Sequence, residues 1–203
     1  MSITIHQDDL PDGLSWGDAV AIDTETLGLN PIRDRLCLVQ LSAGNGDAHL
    51  VQIASDPAPA PNLLALLTDP DIQKIFHFGR FDMAILQHTY GVVTGPVYCT
   101  KIASKLARTY TDRHGLKDLC RELLKVDLSK QQQSSNWGAS ELSKEQMAYA
   151  ASDVLYLHQL RDELTRMLEE QGRAHLLGPC LDFLPARVQL DLQGWDEVDI
   201  FSH

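Results

Sequence analysis

Two carboxylates stand close together at the end of the first strong strand signal in the chain. The apolar run 19–22 predicts a buried strand, and Asp23 and Glu25, two residues apart, should project from the same face of it. Like charges held this close are costly unless a cation or another partner offsets the repulsion. Taken alone, the pattern also fits a turn-capping Asp23 and a solvated Glu25, because Asp-x-Glu is frequent by chance.

Two later blocks supply further acidic groups in compatible settings. Asp82 follows the apolar run 75–78 and precedes a predicted helix start, where a carboxylate is favoured. Tyr149 and Asp153 lie four residues apart in the stretch 141–171, which contains no Gly or Pro, so they share one helix face. Four carboxylates and one phenol could therefore converge on a single pocket.

This set of oxygen ligands suits two hard divalent cations. Mg²⁺ and Mn²⁺ prefer oxygen ligands, and two such ions about 3.5–4 Å apart stabilise the attacking and leaving oxygens of an in-line phosphoryl displacement. The sequence therefore predicts phosphodiester hydrolysis. In this prediction Tyr149 orients the attacking water or helps to remove its proton, and the ligands of two Mg²⁺ or Mn²⁺ ions are Asp23, Glu25, Asp82 and Asp153.

These residues resemble the motifs of a known family. The blocks 23–26 (Asp-Thr-Glu-Thr), 77–82 (His-Phe-Gly-Arg-Phe-Asp) and Tyr149-x-x-x-Asp153 resemble the three motifs of the DEDDy 3′-5′ exonucleases, in particular ribonuclease D. The stretch Lys130-Gln-Gln-Gln-Ser-Ser-Asn-Trp137 resembles a further block that ribonuclease D proteins carry before the third motif. Many relatives have Asn where this chain has Phe78. The resemblance therefore implies no particular substrate contact near His77, while the Asp82 carboxylate of the motif is retained.

The resemblance, together with the hydrophobic pattern, defines an expected architecture. It implies an α/β fold of the ribonuclease H-like (DnaQ-like) type, a mixed five-stranded sheet flanked by helices. The pattern predicts a helix near 61–68 and strands near 19–24, 35–42, 48–53, 73–78 and 97–101.

Two regions follow from the extent of the resemblance. We expect an exonuclease domain over residues 1–171 and a short C-terminal extension over 172–203, too short for the helical HRDC domain of ribonuclease D. The extension is either a solvated terminus or a strap that packs on a neighbouring subunit.

The function implied by the resemblance is the removal of very short RNA. A single domain of this length is most similar to the short bacterial oligoribonucleases of the nano-RNase C group. That implies a 3′-5′ exoribonuclease that converts dinucleotides and other short RNAs to nucleoside 5′-monophosphates, assembled as a homo-oligomer, an octameric ring. The alternatives are an exonuclease on longer RNA, such as tRNA 3′ ends, or on DNA, a non-catalytic nucleotide-binding module, and another acid-rich metalloenzyme such as a phosphatase.

Composition and charge narrow these alternatives. The 203 residues are 44% apolar and 22% charged, which is typical of a globular domain, and the net charge is −11. Tight binding of long nucleic acid depends on many Lys and Arg residues, so the charge favours a substrate with few phosphates. No apolar run is long enough for a membrane span and the N-terminus lacks a signal-peptide pattern, so a cytoplasmic location is expected.

One segment is basic against this acidic background. Residues 101–125 contain seven Lys or Arg and three acids, and four of the basic residues recur every fourth position, at Arg113, Lys117, Arg121 and Lys125. A helix there would carry one basic stripe, either a solvated face or an edge that holds a 5′ phosphate. The candidates for the phosphate contact are Lys101, Arg108, Arg113 and His114.

Other candidate substrate contacts lie beside the motifs. Thr26, Leu27 and Gly28 directly follow the first carboxylate pair and should line the pocket of the terminal nucleotide. Leu27 either wedges between two bases or belongs to the core. His77 either contacts substrate or satisfies a buried hydrogen bond, and Trp137 either borders the pocket or packs.

Overall fold

A single mixed sheet organises the computed structural model, which describes residues 2–129 and 131–203. Within these residues six strands pair in the order β1-β4-β3-β2-β5-β6. The strands are β1 (Ile3–Gln7), β2 (Ala19–Thr26), β3 (Leu36–Ser42), β4 (Ala48–Gln52), β5 (Gln73–Phe76) and β6 (Val97–Cys99).

Strand directions bring the ends of β2, β5 and β6 to one edge of the sheet. β2 is antiparallel to β3 and parallel to β5, and β5 is parallel to β6. β4 is antiparallel to β3 and parallel to β1. The segments that follow β2 and β5 therefore leave the sheet side by side, which places the first two acidic blocks at the same edge.

Helices cover both faces of the sheet. They are α1 (Pro61–Thr68), α2 (Gly79–Tyr90), α3 (Thr100–Ala107), α4 (Leu116–Leu119), α5 (Lys144–Leu155), α6 (Leu157–Glu170), α7 (Ala174–Asp182) and α8 (Leu184–Leu190). α4 continues as a turn of π-helix over Cys120–Leu124, and a second such turn follows α8 over Asp191–Trp195.

Alternate residues of β2 pack into different parts of the core. Val20 and Ile22 join the cluster formed with α1, α2 and α8, whereas Ala19 and Ala21 join the cluster formed with α3 and α6. All seven residues of β3 are buried, as expected for a strand covered on both faces. Thr24 therefore points towards α2, while Asp23 and Glu25 point towards α5.

Two sequence predictions about the elements need correction. In the described part of the chain the sheet has six strands instead of five, because the largely exposed segment Ile3–Gln7 pairs with β4 as an edge strand. The fifth predicted strand, 97–101, ends at Cys99, where α3 begins. The Gly- and Pro-free stretch after residue 141 forms two helices that meet at Tyr156, and Tyr149 and Asp153 both lie in the first of them.

The C-terminal segment is more regular than its sequence indicated. α7, α8 and the final π-helical turn fold back onto the same chain, and Leu184 and Val188 join the core cluster beneath α2. Among the described residues, no helix combines the length and the apolar character that crossing a bilayer requires. Lys130, the first residue of the fourth sequence block, lies outside the described residues.

Candidate active site

Four carboxylates from three elements meet beside the end of β2. Asp23 and Glu25 are half-buried in β2, Asp82 lies in the first turn of α2, and Asp153 lies in α5. α5 begins with a capping box. The Ser143 hydroxyl oxygen accepts a hydrogen bond from the backbone N–H of Gln146, and the Gln146 side-chain oxygen accepts one from the backbone N–H of Ser143. This cap fixes the start of the helix that carries Asp153 against the sheet.

Three of the four carboxylates are close enough to share one ion. One oxygen of each of Asp23, Glu25 and Asp153 lies within 4.8 Å of the other two. Asp82 is buried at the same edge and accepts a hydrogen bond of 2.7 Å from the Thr24 hydroxyl. Asp23 accepts a bond of 3.2 Å from the amide of Gln40, its direct partner on β3.

Burial and mutual repulsion disfavour negative charge in this cluster. Burial raises the pKa of Asp23 well above its ordinary value, and the neighbouring carboxylates add to that shift. Burial and the charges of Asp153 and Asp82 raise the pKa of Glu25 to about 9. Burial also raises the pKa of Asp82 to about 7 and that of Asp153 to about 7, although hydrogen bonds from Thr24 and Tyr149 oppose these two shifts.

The donor set fits divalent cations with a preference for oxygen. Within residues 2–129 and 131–203, no Lys or Arg forms an ion pair with any of the four carboxylates. Clustered carboxylate oxygens without a cationic side chain are the ligands that Mg²⁺ and Mn²⁺ take. A bound cation would also remove the repulsion that raises the pKa values of the cluster.

Tyr149 stands beside Asp153 on the same face of α5. Burial, followed by the charges of Asp153 and Glu25, raises the pKa of Tyr149 above its ordinary value. The phenol therefore keeps its proton at neutral pH and can donate a hydrogen bond. Of the two roles predicted for it, the orientation of a water suits this environment better than removal of a proton.

The loop after β2 presents an exposed leucine next to the carboxylates. The Thr26 hydroxyl donates to the carbonyl of Gly28, and a Cβ at Gly28 would collide with the Asp34 carboxylate, so this turn is tightly closed. Leu27 is 54% exposed. The Leu27 side chain packs closely on Gly138: a Cβ added to Gly138 would lie only 2.8 Å from Leu27 Cδ2. The wedge prediction for Leu27 fits this exposure better than a core position does.

His77 makes a hydrogen bond inside the protein. Its Nδ1 lies 2.9 Å from the Thr100 hydroxyl, and that hydroxyl donates to the carbonyl of Phe76, so His77 must be the donor of the first bond. Burial, with a smaller effect from Lys101, lowers the pKa of His77 to about 3, and the ring is neutral. Nε2 of the ring is then left as an acceptor.

The predicted basic edge is only partly available to a ligand. Arg108 is fully buried and forms an ion pair with Glu122 inside the protein. The predicted contact of Arg108 with a phosphate is therefore wrong. Arg113 remains exposed 3.5 Å from Glu122, and His114 lies 2.8 Å from the Ser104 hydroxyl.

The remaining residues of that edge have separate partners. The Lys101 ammonium lies 4.1 Å from the ring centre of Phe78, and Arg121 pairs with Asp118. The four-residue repeat does not form one α-helical stripe, because Arg113 precedes α4 and the chain after Leu119 is π-helical.

Trp137 reaches the site through Tyr149. It is buried, and its ring centre lies 6.0 Å from that of Tyr149, so it packs against the phenol instead of offering a surface to a base. This position corrects the prediction of a direct substrate contact.

Two residues that contact the carboxylates escaped the sequence reasoning. Thr24 lies between the two motif acids, and Gln40 interrupts the apolar strand Leu36–Leu41. A lone polar residue inside a buried strand is a usable signal, because it must find a partner in the interior.

Comparison with known proteins places this geometry in a family. Residues 8–169 match the family model described as 3′-5′ exonuclease. Ribonuclease D of Gluconacetobacter diazotrophicus is 34% identical over 154 residues, which are 76% of this chain and 39% of the relative. The chain therefore spans about two-fifths of the length of the curated relatives it matches.

Two solved structures are similar over nearly their whole length. Brucella melitensis NrnC bound to pGG is 59% identical with a TM-score of 0.97, covering 100% of this chain and 99% of that one. Brucella melitensis NrnC with bound Mg²⁺ is 58% identical with a TM-score of 0.96, covering 100% of both chains. The chain belongs to the 3′-5′ exonuclease family, within its ribonuclease D group, and is most like the nano-RNase C (NrnC) proteins.

Proposed function

We propose that this chain is a 3′-5′ exoribonuclease that hydrolyses short RNAs, dinucleotides above all, to nucleoside 5′-monophosphates. The observation that carries the proposal is the convergence of four carboxylates and Tyr149 at one edge of the sheet. The similar NrnC structure bound to pGG supports a substrate of this size. The net charge of −11 also supports a substrate with few phosphates.

The reaction depends on two Mg²⁺ or Mn²⁺ ions, held by Asp23, Glu25, Asp82 and Asp153. When bound, the ions stabilise the attacking and leaving oxygens of the phosphodiester and lower the pKa of the attacking water. The similar NrnC structure with bound Mg²⁺ supports this assignment.

The chain's own residues supply the remaining steps. Tyr149 donates a hydrogen bond from its protonated phenol and so orients the water for in-line attack. Leu27 separates the terminal base from its neighbour, and Thr26 and Gly28 shape the turn that presents it. Lys101, Arg113 and His114 stay predicted contacts of a 5′ phosphate, and His77 offers Nε2 as an acceptor.

Direct hydrolysis assays test the proposal. A 5′-phosphorylated RNA dinucleotide and a seven-nucleotide RNA are incubated with the purified protein in Mg²⁺, in Mn²⁺ and in EDTA. We expect rapid loss of the dinucleotide with either metal, slower loss of the longer strand and no reaction in EDTA. The Tyr149→Phe variant should bind cations normally and lose most of its turnover, roughly 10²–10⁴-fold.

The other outcomes separate the alternatives. Faster hydrolysis of the longer strand, with a rate that falls steeply as salt increases, would indicate an exonuclease for long RNA. An inactive protein that still binds the dinucleotide would be a binding module. Full activity of Tyr149→Phe would exclude a role for the phenol in catalysis.

A further inference from the structure

Two neutral side chains of the sheet each hold one oxygen of a site carboxylate. Gln40 is fully buried, and its Nε2 donates to Oδ2 of Asp23 over 3.2 Å. Thr24 is 7% exposed, and its hydroxyl donates to Oδ1 of Asp82, itself 4% exposed, over 2.7 Å. Backbone N–H groups add to this support, that of Thr24 at both carboxylates and that of Asp82 at its own.

The two contacts follow directly from strand geometry. Gln40 lies opposite Asp23 in the antiparallel register of β2 and β3, so the two side chains share a face of the sheet. Thr24 is the next residue along β2 and points to the opposite face, where α2 brings Asp82. Two neighbouring strands therefore each orient one site carboxylate, β3 that of Asp23 and β2 that of Asp82.

Gln40 makes this contact at a cost to the fold. Its Oε1 is buried and has no hydrogen-bond partner among the described residues. An unpaired acceptor in the interior destabilises a protein, and an apolar side chain of the same size would avoid the loss. The amide in an otherwise apolar strand is thus better explained by its bond to Asp23 than by stability.

The neutrality of both donors also matters. A Lys or Arg at either position would hold the same carboxylate oxygen, but its charge would take the place of a divalent cation and repel it. A hydroxyl and an amide fix the orientation of a carboxylate without that competition.

We propose that Thr24 and Gln40 are positioning residues that set the cation affinity of the site by fixing the carboxylates of Asp82 and Asp23. The inference rests on the cation site of the proposed function. Each acts through the carboxylate to which it donates.

The test for Thr24 is a pair of substitutions read by direct Mn²⁺ binding. Thr24→Val keeps the shape of the side chain and removes the donor, while Thr24→Ser keeps the donor. Isothermal titration of metal-free protein should show Mn²⁺ affinity roughly 10–100-fold weaker for Thr24→Val and close to the parent value for Thr24→Ser. Thr94→Val is the matched control, because Thr94 is equally buried and its hydroxyl has no partner within the described residues.

The test for Gln40 separates binding from stability. Gln40→Met conserves the volume but removes both the donor and the unpaired acceptor. We expect its melting temperature in EDTA to be equal to or higher than that of the parent protein, while its Mn²⁺ affinity falls roughly 10–100-fold. A residue with a merely structural role would show the reverse, a lower melting temperature with unchanged Mn²⁺ affinity.

The outcomes distinguish this inference from the function on which it rests. If the parent protein binds Mn²⁺ and Thr24→Val and Gln40→Met bind it equally well, the positioning role is refuted and the proposed function stands. If the parent protein binds no Mn²⁺, the cation site itself is refuted. Weaker binding by both variants, with Thr24→Ser and Thr94→Val unaffected, establishes the role.

Discussion

Burial, with the charges of Asp153 and Asp82, raises the pKa of Glu25 to about 9 in the folded protein, whereas the pKa of a glutamate in an unfolded chain is about 4.3. Asp82 and Asp153 are raised in the same direction, to about 7 each. Between the unfolded and the folded pKa values the native state binds more protons than the unfolded state, so the free energy of unfolding falls as pH rises. In the absence of cations, these residues therefore stabilise the fold best at acidic pH and progressively less from about pH 4 to pH 9.

A pH series of melting temperatures in EDTA measures this effect. Relative to the parent protein, Glu25→Gln should gain melting temperature as pH increases from 5 to 9, because an amide does not ionise. Added Mg²⁺ should stabilise the parent protein more at pH 8 than at pH 5, since deprotonated carboxylates bind the ion. A difference between variant and parent that is constant with pH would contradict the raised pKa of Glu25.

Single residues also mark the limit of sequence reasoning. The four carboxylates were predictable, because each lies at a recognisable strand end, helix start or helix face. Arg108 was not, since its burial depends on Glu122, whose approach requires the turn between α3 and α4. Gln40 was missed because its partner lies on a neighbouring strand, and only the register pairs it with Asp23.

Some helices and strands were predictable from the local sequence, whereas others depend on contacts with distant parts of the chain. The bounds predicted for β2, β3, β4 and α1 agree with the structure to within about two residues, because dense apolar runs and turn residues mark their ends. The segment of β1 has a mixed apolar and polar pattern. It becomes a strand because it pairs with β4, some 45 residues later in the chain. No Gly or Pro marks the break between α5 and α6 at Tyr156.

One contact between elements should dominate the stability of the active-site edge. Asp191 is buried and accepts hydrogen bonds from two arginines, Arg80 in the first turn of α2 and Arg187 in α8. Asp191→Asn removes the charge that both arginines share and leaves each of them, partly buried, without its ion-pair partner. We expect a loss of about 3–5 kcal/mol in the free energy of unfolding, measured by denaturant titration.

An exposed ion pair provides the control for this substitution. Glu170 pairs with Arg166 on the surface of α6, with 61% of the Glu170 side chain exposed. Glu170→Gln should change the free energy of unfolding by less than about 1 kcal/mol. Equal effects of the two substitutions would show that Asp191 does not anchor α2.

At the scale of the whole molecule, the C-terminal segment is tied to the edge of the sheet that carries the candidate site. The match to the family model ends at residue 169, yet Asp191 beyond it binds the helix that carries Asp82. The division of the chain at residue 171 stays a prediction, and a structural boundary there would cut these ion pairs. The cytoplasmic location also stays a prediction.

The same segment supports the homo-oligomer that the family resemblance implies, which stays a prediction. Its outer side exposes a run of large apolar residues, which a lone subunit would leave in water: Trp195, Val198, Ile200 and Phe201. We expect light scattering after size exclusion to give a mass several times that of one chain, eightfold for the expected ring. Trp195→Ser should shift the protein to smaller species, whereas Val93→Ser, similarly exposed outside the segment, should not. A parent protein that elutes as a single chain would refute the assembly.

The bond between Arg80 and Asp191 joins residues that the ribosome synthesises at different times. The two residues are 111 positions apart, and a ribosome that adds about 5–20 residues per second makes Asp191 roughly 5–20 s after Arg80. During that interval α2 and its Asp82 exist without the carboxylate that holds them in place. The cluster of four carboxylates is therefore held in its final arrangement only after residue 191 has been synthesised.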